Sequence, residues 1–202
     1  MKKISLFLSM ALTIFATTFV SCGDEPVTPD DPNNPENQAN YDVYSFSETL
    51  NYNSTKTSTA SAFSASSRQS VPATSASADF CVGKQSQYGV FVCSPNASLL
   101  SQCYDANGIS FSSSKSTKIQ NLGDVDVKDY QDVKTMEGLT VSSSYLDGKQ
   151  SLGVGVNQLS NGQAIAFETS DGCKGVAKMS FSKLTQAVTI TGYVAVPKNA
   201  SH

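Results

Sequence analysis

The chain has 202 residues, a net charge of −3 at neutral pH and 15% charged residues. Lys and Arg form no cluster in this composition, which argues against nucleic-acid binding because phosphate contacts need a concentrated basic surface. His202, at the end of the chain, is the one histidine. Most hydrolase mechanisms that pass a proton through an internal histidine are therefore excluded.

The first 22 residues have the organisation of a bacterial lipoprotein signal peptide. Lys2 and Lys3 form a basic start, an apolar stretch covers residues 4–20, and Ser21 precedes Cys22. The resemblance to lipoproteins implies that residues 1–21 are removed and that Cys22 carries the lipid. Because two or more acyl chains hold a protein stably at a membrane, we expect anchoring at the outer membrane without a membrane span. The alternative is an uncleaved anchor, since a spanning helix needs about 20 apolar residues.

Residues 22–40 are predicted to be an acidic, extended tether. Proline recurs at every third position, the repeat of a polyproline II helix, at Pro26, Pro29, Pro32 and Pro35. Asp24 and Glu25 behind the cysteine resemble the acidic signal that sends lipoproteins of Bacteroidota to the cell surface. The alternative is a spacer whose charges only keep it solvated.

Residues 41–202 are long enough for a single domain with its own core. Alternating side chains predict a first strand near 41–47, and a short apolar, aromatic run predicts a buried strand at 88–93. Between 51 and 78 Ser, Thr and Ala dominate, which is typical of a surface loop or an edge hairpin and not of a core. A short helix is predicted near 96–104.

The second half of the chain has the pattern of strands separated by hairpin turns. The expected turns are Asp147-Gly148, Asn161-Gly162 and Asp171-Gly172. The expected strands are 139–145, 151–156, 164–167, 176–181 and 187–196, of which the last is stopped by Pro197. These elements predict an all-β fold, an antiparallel β-sandwich or partly closed barrel with at most one short helix.

Four cysteines besides Cys22 are candidates for disulfides, because an even number is typical of proteins in an oxidising compartment. Cys81 and Cys93 can face each other across a hairpin, which leaves Cys103 to reach Cys173. Three pairings are open, and the alternative is that some of the four are buried free thiols. No cysteine pair has zinc-finger spacing, so no metal is expected.

Acidic and aromatic side chains supply the remaining candidate sites. Carboxylates crowd residues 124–137, where Asp126 and Asp129 are candidates for a glycosidase pair, although an exposed polar connection explains the same residues. Tyr104 and Tyr130 lie in predicted loops and are candidate ligand contacts. The chain has no Trp, the side chain best suited to stacking on sugars, and each tyrosine is equally consistent with packing.

Two segments carry a family resemblance. Residues 164–179 resemble a hairpin of uncharacterised surface lipoproteins of Bacteroidota, and residues 91–98 resemble a Ser-Pro stretch in the same proteins. The resemblance implies a β-rich extracytoplasmic domain and no catalytic residue. The hairpin is also weakly similar to heme-binding lipoproteins of the HmuY type. Because no Met or His pair is available to ligate heme axially, no cofactor is expected.

These observations favour two classes of function. The first is a non-catalytic surface module that binds a glycan or a host protein. The second is an accessory or structural subunit of an envelope complex, such as an uptake system or an adhesive filament, whose sheet edge is completed by a partner strand. A carboxylate glycosidase is a third hypothesis.

Overall fold

The computed structural model describes residues 40–52, 60–86, 89–103, 115–142, 157–158 and 160–198. The strands, in chain order, are β1 (Tyr41–Asn51), β2 (Ala60–Ser64), β3 (Gln69–Pro72), β4 (Phe80–Gln85), β5 (Gly89–Cys93), β6 (Lys118–Gly123), β7 (Asn157–Gln158), β8 (Ala164–Glu168), β9 (Lys174–Ser182) and β10 (Ala187–Pro197). Helical segments are α1 (Leu100–Cys103), a 3-10 turn (Val127–Tyr130) and α2 (Val133–Glu137).

The described strands form two antiparallel sheets of five strands each. Sheet I has the order β1-β10-β9-β8-β6, and sheet II has the order β3-β2-β4-β5-β7. β1 and β10 pair along their whole length, from Tyr41 opposite Pro197 to Asn51 opposite Ala187. The two sheets pack face to face, so the fold is an open β-sandwich, as the alternation predicts.

The core between the sheets is built from inward-facing side chains of both. Four phenylalanine rings form its centre. The ring centroid of Phe63 lies 4.5 Å from that of Phe46 and 5.3 Å from that of Phe80, and the centroids of Phe80 and Phe167 are 5.2 Å apart. All four are buried. Since large aromatic side chains dominate the apolar area of a core, this cluster fixes the sheets against each other.

Two further hydrophobic clusters lie on the outer faces of the sheets. On sheet II, Leu99 and Leu100 pack over Cys81, Phe91 and Cys93. The outer face of sheet I is covered over part of its area by the segment that contains the 3-10 turn and α2. Met136 of α2 is fully buried there. All three clusters lie within the compact unit 39–202, which therefore contains the core that it needs to fold alone.

The fold class and most of the predicted strands are confirmed. The strands predicted near 41–47, 164–167 and 187–196 correspond to β1, β8 and β10. The Asp171-Gly172 turn is present with a φ of 83° at Gly172, a conformation that glycine adopts without steric cost. Gly162 likewise has a φ of 86° in the turn before β8.

The expectation that the Ser/Thr-rich segment 51–78 lies outside the core is wrong, whereas the edge hairpin, one of the two structures expected for it, is present at residues 60–72. They form the β2–β3 hairpin, in which β3 is an edge strand and β2 an interior strand. Phe63 reaches the central core, and Ser61, Ala62 and Ser64 are fully buried beside it. Composition misled here because small residues fit the crowded space around one large ring without raising the hydrophobicity of the segment.

The helical content exceeds the one short helix that the sequence predicts. That helix is present as α1, but α2 and the 3-10 turn were not expected. Each begins at an aspartate whose carboxylate accepts a backbone N–H, Asp126 from Lys128 and Asp132 from Thr135. The strand predicted at 139–145 is wrong for 139–142, where irregular chain buries Leu139 and Val141 against sheet I.

Candidate functional site

A cavity of about 280 Å³ opens between the two sheets at one end of the sandwich. It lies where β1, β4 and β9 end and where β5 and β10 begin, and we call this end the mouth. Gly89 and six side chains line the cavity, namely Tyr52, Lys84, Val90, Phe181, Lys183 and Gln186. The lining is mainly apolar, as is common for ligand sites.

The cavity exists because the inward-facing rows of side chains are no longer fully apolar where they reach the mouth. On β4 the row runs Phe80, Val82, Lys84, and on β5 Val92 is followed toward the mouth by Val90. Lys84 pairs with Val90 in the β4–β5 ladder. The inward row of β4 therefore ends in a lysine at the position where a further apolar core residue would be expected. The core is therefore left open at this end.

The walls of the cavity are rings held in place by the core. Tyr52 is buried, its N–H donates to Gln186 O at 3.0 Å, and its hydroxyl donates to Ser182 O at 3.1 Å. Phe181 is half-buried and packs on the central core, while its N–H donates to Asn161 Oδ1 at 2.8 Å. Since these groups are fixed before any ligand arrives, binding would cost little ordering entropy.

The rim of the cavity is positively charged. Lys84 and Lys183 are exposed, and neither forms an ion pair within the part of the chain that the structure describes. The described ion pairs are formed by Lys115, Lys118, Lys178 and Lys198. An uncompensated pair of ammonium groups beside an apolar cavity favours a ligand that carries negative charge.

The β9–β10 turn next to the cavity presents an exposed leucine. Leu184 is 95% exposed, whereas the core side chains of both flanking strands are buried. Gln186 of the same turn has a φ of 51°, a left-handed conformation that is unfavourable for residues other than glycine and asparagine. The turn thus has a defined shape that holds an apolar side chain in solvent beside the cavity.

An ionic network centred on the buried Asp79 joins the sheets at the opposite end, which we call the entry end because β1 begins there. Lys115 Nζ lies 3.0 Å from Asp79 Oδ1 and 2.5 Å from Asp171 Oδ2. Asp79 Oδ2 also accepts the N–H of Ala65 at 2.7 Å, and Thr117 donates to the Asp79 carbonyl. These bonds account for every carboxylate oxygen of Asp79, so this network is structural.

Of the two candidate ligand contacts, Tyr104 and Tyr130, the structure describes only Tyr130. Tyr104 lies outside the described residues. Tyr130 ends the 3-10 turn, is half-buried, and packs in the cluster on the outer face of sheet I. The structure therefore gives Tyr130 a packing role away from the mouth.

The candidate acidic residues serve the backbone or the surface. Asp126 and Asp132 are helix caps, and Thr135 bonds to Asp132 through both its hydroxyl and its N–H. These bonds hold the pKa of Asp132 below its usual range. Glu137 accepts the N–H of Asn40 at 3.0 Å. Asp129 lies in the 3-10 turn between the two caps, so the acidic segment has a structural explanation.

The cysteines lie on two sides of sheet II. Cys81 and Cys93 are direct ladder partners and share the outer cluster, while Cys173 belongs to the core between the sheets. Cβ atoms of such partners lie about 4.5–5.5 Å apart, slightly more than a disulfide needs, and Cys81 is a thiol in this structure. The Cys81–Cys93 pairing stays a prediction.

The Cys103–Cys173 pairing also stays a prediction. The α1 helix that ends at Cys103 begins at Leu100, which packs with Leu99 on the outer face of sheet II. The Cys103 side chain itself is outside the described part. Burial and the negative charge of Asp79 raise the pKa of Cys81 to about 12 and that of Cys173 to about 11, so neither thiol is reactive at neutral pH.

Sequence reasoning missed the mouth, although one pattern points to it. The alternation Phe80, Val82, Lys84 places a lysine in the apolar row of a strand, which a search for interrupted rows would have found. Lys183, Leu184 and Gln186 carry no such pattern. The predicted lipidation site Cys22, the predicted signal peptide and the predicted tether up to residue 39 lie outside the described residues.

Comparison of the chain with protein-family models, with characterised proteins and with solved structures finds no significant match. None of the helices in the described ranges has the length and apolarity to cross a membrane. Among the same residues, no three His, Cys, Asp or Glu side chains are grouped as metal ligands would be.

Proposed function

We propose that the chain is a non-catalytic binding module, anchored at the outer membrane through a lipid on Cys22, facing the cell surface and binding a glycan or a host protein. The observation that carries the proposal is the pre-formed apolar cavity at the mouth with two lysines that no carboxylate of the described residues neutralises. No cofactor is part of the proposal.

The position of the mouth supports a surface role. The chain enters the domain at Tyr41, where β1 begins, and the mouth lies at the other end of β1 beside Tyr52. An 11-residue strand spans roughly 35 Å at about 3.3 Å per residue. A tether that precedes Tyr41 would therefore join the domain at the end remote from the cavity, and the cavity would stay accessible to ligands.

A non-catalytic role is supported by the chemistry of the cavity. Among the residues that the structure describes, its lining contains two lysines, one tyrosine and one glutamine, and no carboxylate, cysteine or histidine, the groups that most often act as acid, base or nucleophile. Of the two residues suggested for a glycosidase, Asp126 caps the 3-10 turn on the outer face of sheet I and Asp129 lies within that turn. Binding is the activity for which this set of side chains is suited.

A cavity-filling variant tests the assignment of the site. Val90→Trp places a large ring in the cavity, and Thr191→Trp places the same ring on the exposed outer face of sheet I as a matched control. We expect any glycan or host-matrix protein bound by residues 39–202 in a panel to lose at least tenfold in affinity with Val90→Trp and to bind Thr191→Trp normally. Equal affinities for all three proteins would place the ligand elsewhere.

The location is tested by protease treatment of intact cells. We expect immunoblotting to show loss of the domain while a periplasmic control protein survives. Protection of the domain at the same protease concentration would contradict surface exposure and would remove extracellular ligands from the proposal.

An accessory or structural subunit of an envelope complex is the second candidate, favoured by the 11-residue edge strand β1. Partner strands add to edges whose backbone groups are open. The neighbouring edge β3 is partly closed, because Glu48 Oε2 of β1 accepts the N–H of Ser70 at 3.0 Å. Arg68 also lies over the ring of Tyr44, 4.3 Å from its centroid. These contacts between the two edges favour the binding module over strand addition.

A further inference from the structure

We infer that the mouth binds a protein segment in which an apolar side chain is flanked by carboxylates. This inference rests on the proposed binding function. Of the two ligand classes proposed there, it favours a protein over a glycan. It follows from the volume of the cavity, the character of its walls, and the charge and apolar side chain at its rim.

The cavity has the size of one large side chain. A cavity of about 150 Å³ accepts benzene, so about 280 Å³ accommodates a phenylalanine or leucine side chain with part of its backbone. The walls offered to it are the rings of Tyr52 and Phe181 and the methyl groups of Val90. The Tyr52 hydroxyl already donates its proton to Ser182 O, so it cannot donate that proton to a sugar hydroxyl.

The rim selects for negative charge around that side chain. Lys84 ends the inward row of sheet II, and Lys183 follows β9 of sheet I, so one ammonium group stands on each sheet beside the opening. Neither is neutralised by a described carboxylate. Acidic residues on both sides of the inserted side chain would complement this arrangement.

Leu184 extends the apolar contact beyond the cavity. The side chain is 95% exposed on a turn whose neighbours Lys183 and Gln186 line the cavity. A protein segment crossing the opening would cover it, whereas a hydrated sugar would leave its apolar surface in water. A protein ligand thus explains one exposed side chain that a glycan does not.

The test uses blocked pentapeptides as probes for residues 39–202. The acidic probe is Asp-Glu-Phe-Glu-Asp, its neutral counterpart is Asn-Gln-Phe-Gln-Asn, and its truncated counterpart is Asp-Glu-Ala-Glu-Asp. We expect the acidic probe to bind about tenfold more tightly than either counterpart at low salt, because one lacks the charge pairing and the other the ring burial. High salt should remove the preference over the neutral probe.

Variants of the protein complete the design. Lys84→Met and Lys183→Met should each weaken the acidic probe about threefold and leave the neutral probe unchanged. Lys134→Met, on the exposed face of α2, is the matched control and should change neither. Equal binding of the three probes, or no binding of any, would overturn the inference. If a glycan from the panel then binds and Val90→Trp abolishes it, the proposed function stands and only the protein ligand is wrong.

Discussion

Replacing Asp79 by alanine is expected to lower the free energy of unfolding of the domain by about 3 kcal/mol. The carboxylate is buried, and its two oxygens bond to the N–H of Ala65 and to Lys115. Alanine would leave a buried N–H without a partner and would remove one of the two carboxylates that neutralise Lys115. Loss of a hydrogen bond to a charged group costs about 1.5–3 kcal/mol, and breaking a buried pair adds to it. Urea denaturation of both proteins measures the difference.

Asp79→Asn is the matched control for that substitution. The amide keeps an oxygen that accepts from Ala65 but removes the charge. The amide NH2 then faces Lys115 and cannot accept its proton, although Lys115 retains Asp171 at 2.5 Å, so we expect a loss of about 1.5 kcal/mol, smaller than that of alanine. If alanine costs no more than asparagine, the hydrogen bonds of Asp79 are not what ties the two sheets together.

The same residue predicts a pH dependence. Burial raises the pKa of Asp79 above its ordinary 3.8 and outweighs the opposing effects of the Ala65 hydrogen bond and of Lys115. A folded-state pKa above the unfolded value means that the ionised carboxylate reduces stability at higher pH. This cost fades as the pH falls from the raised pKa toward 3.8. As the pH falls through that window, the free energy of unfolding of the wild type should therefore rise relative to that of Asp79→Asn. A difference between the two proteins that does not change with pH would contradict this prediction.

Gly192→Ala is expected to destabilise the domain by at least about 3 kcal/mol. A Cβ at this position in β10 would overlap the carbonyl oxygen of Val176 and would lie 2.9 Å from Ala177 Cα, both backbone atoms of the paired strand β9. Because backbone atoms in the middle of a sheet cannot move away alone, the ladder itself would have to open. Thermal unfolding followed by circular dichroism should show a large fall in the melting temperature or no cooperative transition.

Gly138→Ala is the control for a glycine that does not need to be glycine. Gly138 caps α2 with a φ of −72°, and its nearest neighbour to an added Cβ is Lys134 O at 3.4 Å. We expect a change within about 1 kcal/mol, with a slight gain from the reduced freedom of the unfolded chain. Equal losses in the two variants would mean that the close approach of β9 and β10 is not the cause.

The sequence predicted those parts of the fold that rest on local patterns. Alternation in β1, β8 and β10, together with glycines in tight turns, indicated the sandwich before any contact was known. It failed in β2, where Phe63 is buried in the core between the sheets and Ala62 is buried in the outer cluster of sheet II, both by contacts with segments distant in the sequence. It also failed for α2, a five-residue helix determined by the Asp132 cap and the burial of Met136 and not by periodicity.

The candidate site was less predictable than the fold. Tyr52, Phe181 and Val90 read individually as core residues, and they enclose a cavity only because five strands end together at the mouth. The tyrosines selected from loop positions did not reveal it. The one local signal is Lys84 in an apolar row of β4. Its relevance to binding becomes clear only when the structure brings it near Lys183, which follows β9 of sheet I.

The most direct test of this account is to map the bound ligand on the domain by NMR. Uniformly labelled residues 39–202 would be titrated with the tightest ligand from the glycan, protein and peptide probes. We predict that the amides of Tyr52, Lys84, Val90, Phe181 and Gln186 shift together and saturably, while those of α2 and the entry end stay in place. Shifts confined to the outer face of sheet I, to the edge of β1 or to the entry end would contradict the assignment of the mouth as the binding site.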